Sequence, residues 1–171
     1  MTDTLVDLIS AHADVAIRFG ELENSSLLYR HLGRSAWRLV GAPSLIEARG
    51  MPKEISDLEQ FKQVAFMNPA RLNDLWFEGH SKPLRLQPAI HADNGEAVRG
   101  LVLAGNGIAQ FSDYMIDADI RSGKVISLLH DKLRTPGIPV SALYSEPAGR
   151  LGRMKVFVDW LSNVTAELFA G

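Results

Sequence analysis

The 171 residues include no cysteine, so disulfides, thiolate nucleophiles and zinc–thiolate sites are excluded. Long apolar runs are missing too, and none approaches the roughly 20 residues needed to span a bilayer. The start, Met1-Thr2-Asp3-Thr4, has neither the basic residues nor the apolar core of a secretion signal. Charge of one sign is absent: 18 Lys and Arg against 20 Asp and Glu leave a net charge of −2. Such a chain has no long-range attraction to nucleic acid or to an acidic membrane surface. Repeats and low-complexity tracts are absent. These absences fit a cytoplasmic protein with no membrane contact.

The motifs of catalysis are equally scarce. No G-x-S-x-G, H-E-x-x-H or Walker sequence occurs. His12, His31, His80, His91 and His130 never fall three or four apart, as ligands on one helix face would. The nearest candidate, His91-Ala92-Asp93, would share one face of a strand, but a solvated histidine is the simpler expectation. Asp113, Asp117 and Asp119 read as a solvated helix face. Trp37, Trp76 and Trp160 read as packing residues. No metal, no cofactor and no enzymatic activity are expected.

What the chain does have is one well-marked stretch, Asp93 to Ala109. Asp93 and Glu96 have the spacing of a capping box, with Asp93 as the expected cap. Ala97, Val98, Leu101, Val102 and Ala104 then supply an apolar helix face. Gly105 is placed to end the helix in a left-handed conformation, and Asn106-Gly107 to turn the chain. The opening of such a helix offers unpaired N–H groups and a partial positive charge, which suits an anionic ligand.

The remaining pattern is alternating strand and helix. Val15 to Gly20 is near-continuously apolar, as in a strand buried in a parallel sheet. Leu27 to Val40 is β-like, with a bend at Gly33-Arg34-Ser35. Pro43 to Arg49 reads as a short helix stopped by Gly50. Ser56 to Phe61 reads as a helical turn, Lys62 to Met67 as a strand, and Trp76-Phe77 as part of a hairpin-like arm. Ile108 to Phe111 reads as a strand, followed by a helix from Ser112 to Ile120 that stops by Gly123. Val125 to Leu129 and Ile138 to Tyr144 read as the last strands. Arg153 to Ala170 reads as an amphipathic helix with Met154, Phe157, Val158, Leu161, Val164 and Leu168 inward. The expected fold class is α/β with largely parallel sheets.

Taken in order, these pieces resemble a known family. Asp14-Val15-Ala16-Ile17-Arg18-Phe19-Gly20, Leu32-Gly33-Arg34, Val40-Gly41-Ala42-Pro43 and Gly50-Met51-Pro52 are similar to segments of the effector-binding domain of LysR-type transcriptional regulators. So are Asn94-Gly95-Glu96-Ala97 through Ala104-Gly105-Asn106-Gly107-Ile108-Ala109, Gly123-Lys124-Val125 and Val156-Phe157-Val158-Asp159-Trp160-Leu161. The resemblance covers nearly the whole chain.

It implies a fold like a type 2 periplasmic binding protein, with two α/β lobes joined by crossover strands and a small-molecule effector in the cleft. Lobe one would hold residues 1–39 and 141–171, and lobe two residues 40–140. Carried onto this sequence, the effector-touching positions are Thr2, Thr4, Arg18, Phe19, Met67, Asn68, Asn94, Gly95 and Glu96. For each, a capping or packing role stands beside ligand contact. The resemblance also implies a bacterial, dimeric or otherwise homo-oligomeric regulator that meets DNA only through a helix-turn-helix domain absent from this sequence. Lobe one is expected to lack its first strand, first helix and second strand. A second expectation follows from that: a DNA-free interaction module pairing with itself, or with an intact regulator, through the exposed edge of the Val15–Phe19 strand.

Overall fold

The computed structural model describes residues 14–20, 22, 28–134, 137–144 and 151–166. Among these the order is β1 (Val15–Phe19), β2 (Leu28–Ser35), β3 (Trp37–Gly41), α1 (Pro43–Arg49), β4 (Gln63–Phe66), β5 (Pro88–Ala92), α2 (Gly95–Leu103), β6 (Ala109–Ser112), α3 (Asp113–Arg121), β7 (Ile126–Ser127), β8 (Ile138–Tyr144) and α4 (Leu151–Thr165). Two 3-10 turns, Ile55–Gln60 and Ala70–Asn73, flank β4. The chain divides into two compact units, one of Met1–Ala36 with Gly137–Gly171, the other of Trp37–Pro136. These divisions fall at residues 36 and 136, a few residues before the 39 and 140 read from sequence. Strand pairing explains the shift: all of β3 pairs within the second unit and all of β8 within the first.

In the first unit β8 lies between β1 and β2, and both pairings are antiparallel. The parallel sheet expected around Val15–Phe19 is therefore corrected for the described strands. A connection through β8 reverses chain direction at each neighbour, and apolar content alone does not encode direction. Burial is also less than the apolar run suggested, since Ile17 keeps 42% of its surface exposed. The bend expected near Gly33 is a register shift between His31 and Gly33, with Gly33 at φ 142°. The helix α4 lays Val158 and Leu161 against Leu32, Val140 and Ala142. Of the residues expected to point inward, Phe157 and Val164 are exposed, as is Trp160. The expectations at Thr2, Thr4 and Leu168 lie outside the described residues.

The second unit is a sheet with helices on both faces. β6, β3 and β7 pair antiparallel with β3 in the middle, and β4 and β5 pair parallel. A parallel bridge between Gln63 and Ile108 joins the two groups. Among the described strands, only this β5–β4–Ile108 side has the parallel arrangement expected for most of the sheet. Side-chain alternation splits the core. Leu39 and Ile108 face one way, with Ile46 of α1, Leu58 and Phe77. Val40 and Ala109 face the other, with Val98 and Val102 of α2 and Ile116 of α3. The strand expected over Val125 to Leu129 shrinks to Ile126–Ser127, because Leu129 takes a positive φ of 47° that ends it. Phe77 is fully buried and bridges Leu133, whereas Trp76 beside it is exposed and does not pack in the core.

Helix ends obey local chemistry. Gly50 closes α1 at φ 85°, as expected. Gly105 sits at φ 79° after α2, where its N–H donates to the Val102 carbonyl and that of Asn106 to the Leu101 carbonyl. That pair of bonds satisfies the carbonyls left over at the end of a helix. Gly107 is present for a different reason than a turn: a Cβ there would lie 2.6 Å from the Lys62 carbonyl oxygen. The close approach lets Ile108 and Lys62 form the bond that starts the β4–β6 contact.

Candidate functional site

Parallel pairing of β4 with β5 brings their carboxyl ends to the same edge of the second unit's sheet, with Phe66 opposite Ala92. The N–H of Met67 donates to the Ala92 carbonyl at 2.8 Å, so Met67 and Asn68 leave the sheet next to Asp93 and Asn94. The carboxyl end of β6 comes alongside, where the Phe111 ring meets the Phe66 ring edge-on at 6.2 Å between centroids. From that edge Asp113 and Tyr114 open α3. Ligands of open α/β sheets bind at carboxyl strand ends, where helix openings present unpaired N–H groups.

The cap of α2 is Asn94, not Asp93. Asn94 Oδ1 accepts the Ala97 N–H at 2.9 Å, and Asn94 Nδ2 donates to Asp93 Oδ1 at 2.8 Å. The expected capping box is displaced because Glu96 is then the second helical residue, one short of the position that reaches back to a cap. Glu96 instead meets Arg99, with Nη1 to Oε2 at 3.3 Å. The buried face of α2 is also narrower than expected: Ala97 and Ala104 are exposed, and Val98 and Val102 carry the packing. Gly95 is close to Met115 of α3, whose terminal carbon would lie 2.6 Å from a Cβ at that position.

Five of the nine residues singled out from sequence, Met67, Asn68, Asn94, Gly95 and Glu96, thus come together at one sheet edge. Arg18 and Phe19 lie on β1 in the first unit, with Arg18 directly opposite Ser141 of β8. Arg18 Nε is shielded from solvent and meets no hydrogen-bond partner among the described residues. Thr2 and Thr4 lie outside the described residues.

Other contributors were not visible in the sequence. Asn73 substitutes for a strand neighbour of β4, its Oδ1 accepting the Phe66 N–H at 2.8 Å and its Nδ2 donating to the Phe66 carbonyl at 2.9 Å. Gln63 donates to the Asn73 carbonyl at 3.0 Å, and Gln110 to the carbonyls of Leu72 and Asp74 at 2.9 and 3.0 Å. Three side-chain amides therefore hold the Ala70–Asn73 turn against β4 and β6. The aspartates of α3 are not a solvated face either. Asp113 and Asp119 are buried, and only Asp117 stays partly exposed. Their placement along one helix hid this, because the partner of Asp119 is Arg99, twenty residues away.

The charge at this edge is mostly carboxylate, from Asp93, Glu96 and Asp113. Burial raises the pKa of the Tyr114 phenol, and the nearby Asp113 and Glu96 add to it. The Arg99 guanidinium is held charged above its ordinary range, chiefly by its hydrogen bonds to Asp119. No group of three His, Cys, Asp or Glu side chains among the described residues could hold a metal ion.

The LysR substrate binding domain family model matches residues 1–166. The chain belongs to that family. The HTH-type transcriptional regulator CrgA of Neisseria meningitidis serogroup C (strain 8013) is 36% identical over 159 residues, which are 91% of this chain and 52% of that protein. The solved regulatory domain of Neisseria meningitidis CrgA is similar at a TM-score of 0.86 and 32% identity, covering 96% of this chain and 81% of that one. The effector domain of AmpR from Pseudomonas aeruginosa is alike in fold, with a TM-score of 0.75 at 21% identity, covering 97% of this chain and 78% of that one.

This LysR-family chain is an effector-binding domain of the LysR type, with the α/β fold of type 2 periplasmic binding proteins. Members of the family are transcriptional regulators, not enzymes. The chain spans about half the length of the curated relatives it matches. Among the described residues no helix is long and apolar enough to cross a membrane.

Proposed function

We propose that the chain senses a small molecule for a bacterial, cytoplasmic, homo-oligomeric LysR-type regulator, and reaches DNA only through the helix-turn-helix part of such a protein. Effector binding would shift the domain between conformational states that differ in affinity for it. The observation that carries this reading is the gathering of Met67, Asn68, Asn94, Gly95 and Glu96 at one carboxyl edge of the second unit's sheet. There the opening of α2 supplies backbone donors and Glu96 an acceptor. Arg18 and Phe19 of the first unit, and Thr2 and Thr4, are proposed as effector contacts on the family resemblance alone. Phe19 offers an apolar surface, and Arg18 supplies a charge suited to an anionic group.

A thermal-shift screen of organic acids, amino acids and aromatic metabolites tests the reading. A hit should raise the melting temperature with concentration, and Glu96→Gln and Arg18→Gln should each weaken it. A screen in which no compound shifts the wild-type protein counts against a sensor. A hit that survives both substitutions moves the site elsewhere.

A further inference from the structure

At the carboxyl edge of the second unit's sheet, the core beneath α2 and α3 runs out in apolar side chains. Phe66 ends β4, Ala92 ends β5, and Met115 reaches in from α3. All three pack on the core around Val98 and Val102 and are only partly buried. Gly95 continues the Val98–Val102 face toward the start of α2. It has no side chain, and the Met115 methyl fills that place: a Cβ on Gly95 would lie 2.6 Å from Met115 Cε and 3.5 Å from Sδ. The gap between the two helix openings is therefore plugged by an unbranched thioether, the most adaptable of core side chains. Beside it Met67 is 54% exposed and Tyr114 40%. Burial, then Asp113 and Glu96, raise the Tyr114 pKa, so its phenol stays protonated.

The charges at this edge oppose an anionic partner. Glu96 and Asp113 stand in the first turns of α2 and α3, so each helix opening already has an anion of its own. Some of the backbone donors are taken as well. Asn94 Oδ1 accepts the Ala97 N–H, and Asp113 Oδ1 accepts the Tyr114 N–H at 2.8 Å. The Arg99 guanidinium is held by Asp119 and Glu96, and Arg71 of the neighbouring turn is engaged within the chain. An added carboxylate would stand among like charges. Building on the sensor reading, we infer that this edge takes the uncharged, apolar end of the effector, with Met115 as the residue that sets its fit. That end displaces the Met115 methyl from Gly95, and any anionic group of the same molecule lies away from the α2 and α3 openings. The sequence-based expectation of an anion at the α2 opening is thereby reversed.

Methionine-methyl NMR reads this edge directly, since the chain has only 5 methionines. Met67→Leu and Met115→Leu assign the two signals. Without any ligand, Gly95→Ala should move the Met115 signal, while circular dichroism shows the fold intact. Hexanoate with adipate, and 4-methylbenzoate with terephthalate, are pairs in which a terminal methyl is exchanged for a second carboxylate. The methyl-ended member should shift the Met115 signal and bind about tenfold more tightly or better, the effect of one like-charge contact. Met115→Ala removes the plug and should move the preference toward octanoate over hexanoate by roughly tenfold, as two further methylenes find room. A Met115 signal unmoved by Gly95→Ala overturns the inference, as does an unchanged preference in Met115→Ala. Dicarboxylates that bind as tightly while shifting Met115 overturn it too, and the sensor reading then stands. No shift at Met115 from any of these acids also ends it; a thermal-shift hit would then keep the sensor reading, and an empty screen would remove both.

Discussion

Arg99 on α2 and Asp119 on α3 are joined by two parallel hydrogen bonds, Nε to Oδ2 at 2.5 Å and Nη2 to Oδ1 at 2.9 Å. The Asp119 side chain is 3% exposed and that of Arg99 28%. The pair ties together the two helices that open at the candidate site, and Arg99 reaches Glu96 as well. A bidentate guanidinium–carboxylate contact fixes both distance and orientation, which a single bond does not.

Asp119→Ala should therefore destabilise the protein by about 3 kcal/mol, because it leaves Arg99 without its partner in a mostly buried place. Arg99→Lys should also be poorly tolerated, since a lysine cannot span both oxygens. Denaturant unfolding measures both. A loss under about 0.5 kcal/mol for Asp119→Ala, the range of an ordinary surface change, contradicts the clamp.

The cap of α2 is separable from its neighbour by mutation. Asn94→Ala removes the acceptor for the Ala97 N–H and should cost about 1 kcal/mol. Asp93→Ala removes only an acceptor outside the helix and should cost a few tenths. The reverse ranking would restore Asp93 as the cap.

Two glycines should respond with opposite sign. A methyl at Gly107 meets the Lys62 carbonyl, so Gly107→Ala should destabilise by about 1–3 kcal/mol through forced backbone movement. Gly100 lies within α2, where an added methyl would meet nothing within 4 Å, and Gly100→Ala should stabilise by about 0.4–1 kcal/mol. Thermal unfolding of the two variants beside the parent decides the signs.

Acid should act partly through Asp57. Its carboxylate accepts the N–H groups of Glu54 and Lys53 at 2.9 and 2.8 Å, and these bonds, that of Glu54 first, hold its pKa below the ordinary 3.8. A carboxyl depressed on folding contributes its stability above the unfolded pKa and loses it as pH falls through the folded one. Unfolding followed from pH 5 down to pH 2 should fall less steeply in Asp57→Asn than in the parent. Parallel curves would remove Asp57 from the acid response.

Much of the fold was legible in the chain because its signals are local. The helices α1, α2 and α3 end at Gly50, Gly105 and Gly123, each at positive φ, and β8 spans the expected Ile138–Tyr144. Strand direction was not legible: Val15–Phe19 is equally apolar whether its neighbour runs parallel or antiparallel. The candidate edge divides the same way. Asn94, Gly95 and Glu96 announce themselves through a helix start, whereas Asn73 and Gln110 gain their roles from partners 7 to 38 residues away. The buried state of Asp119 depends on Arg99, and an acidic residue in a polar stretch carries no mark of a distant partner.

The side-chain amides of Asn73, Gln63 and Gln110 have an architectural outcome. After one bridge at Gln63 and Ile108, β4 and β6 part, and the Phe66 N–H that would continue their ladder is spent on Asn73. A leucine at position 73 could neither donate nor accept there, and the strands would be free to zip farther along. The fork at the top of this sheet is thus written in carboxamides, and a family member with other residues at those positions would shape that end of its sheet differently.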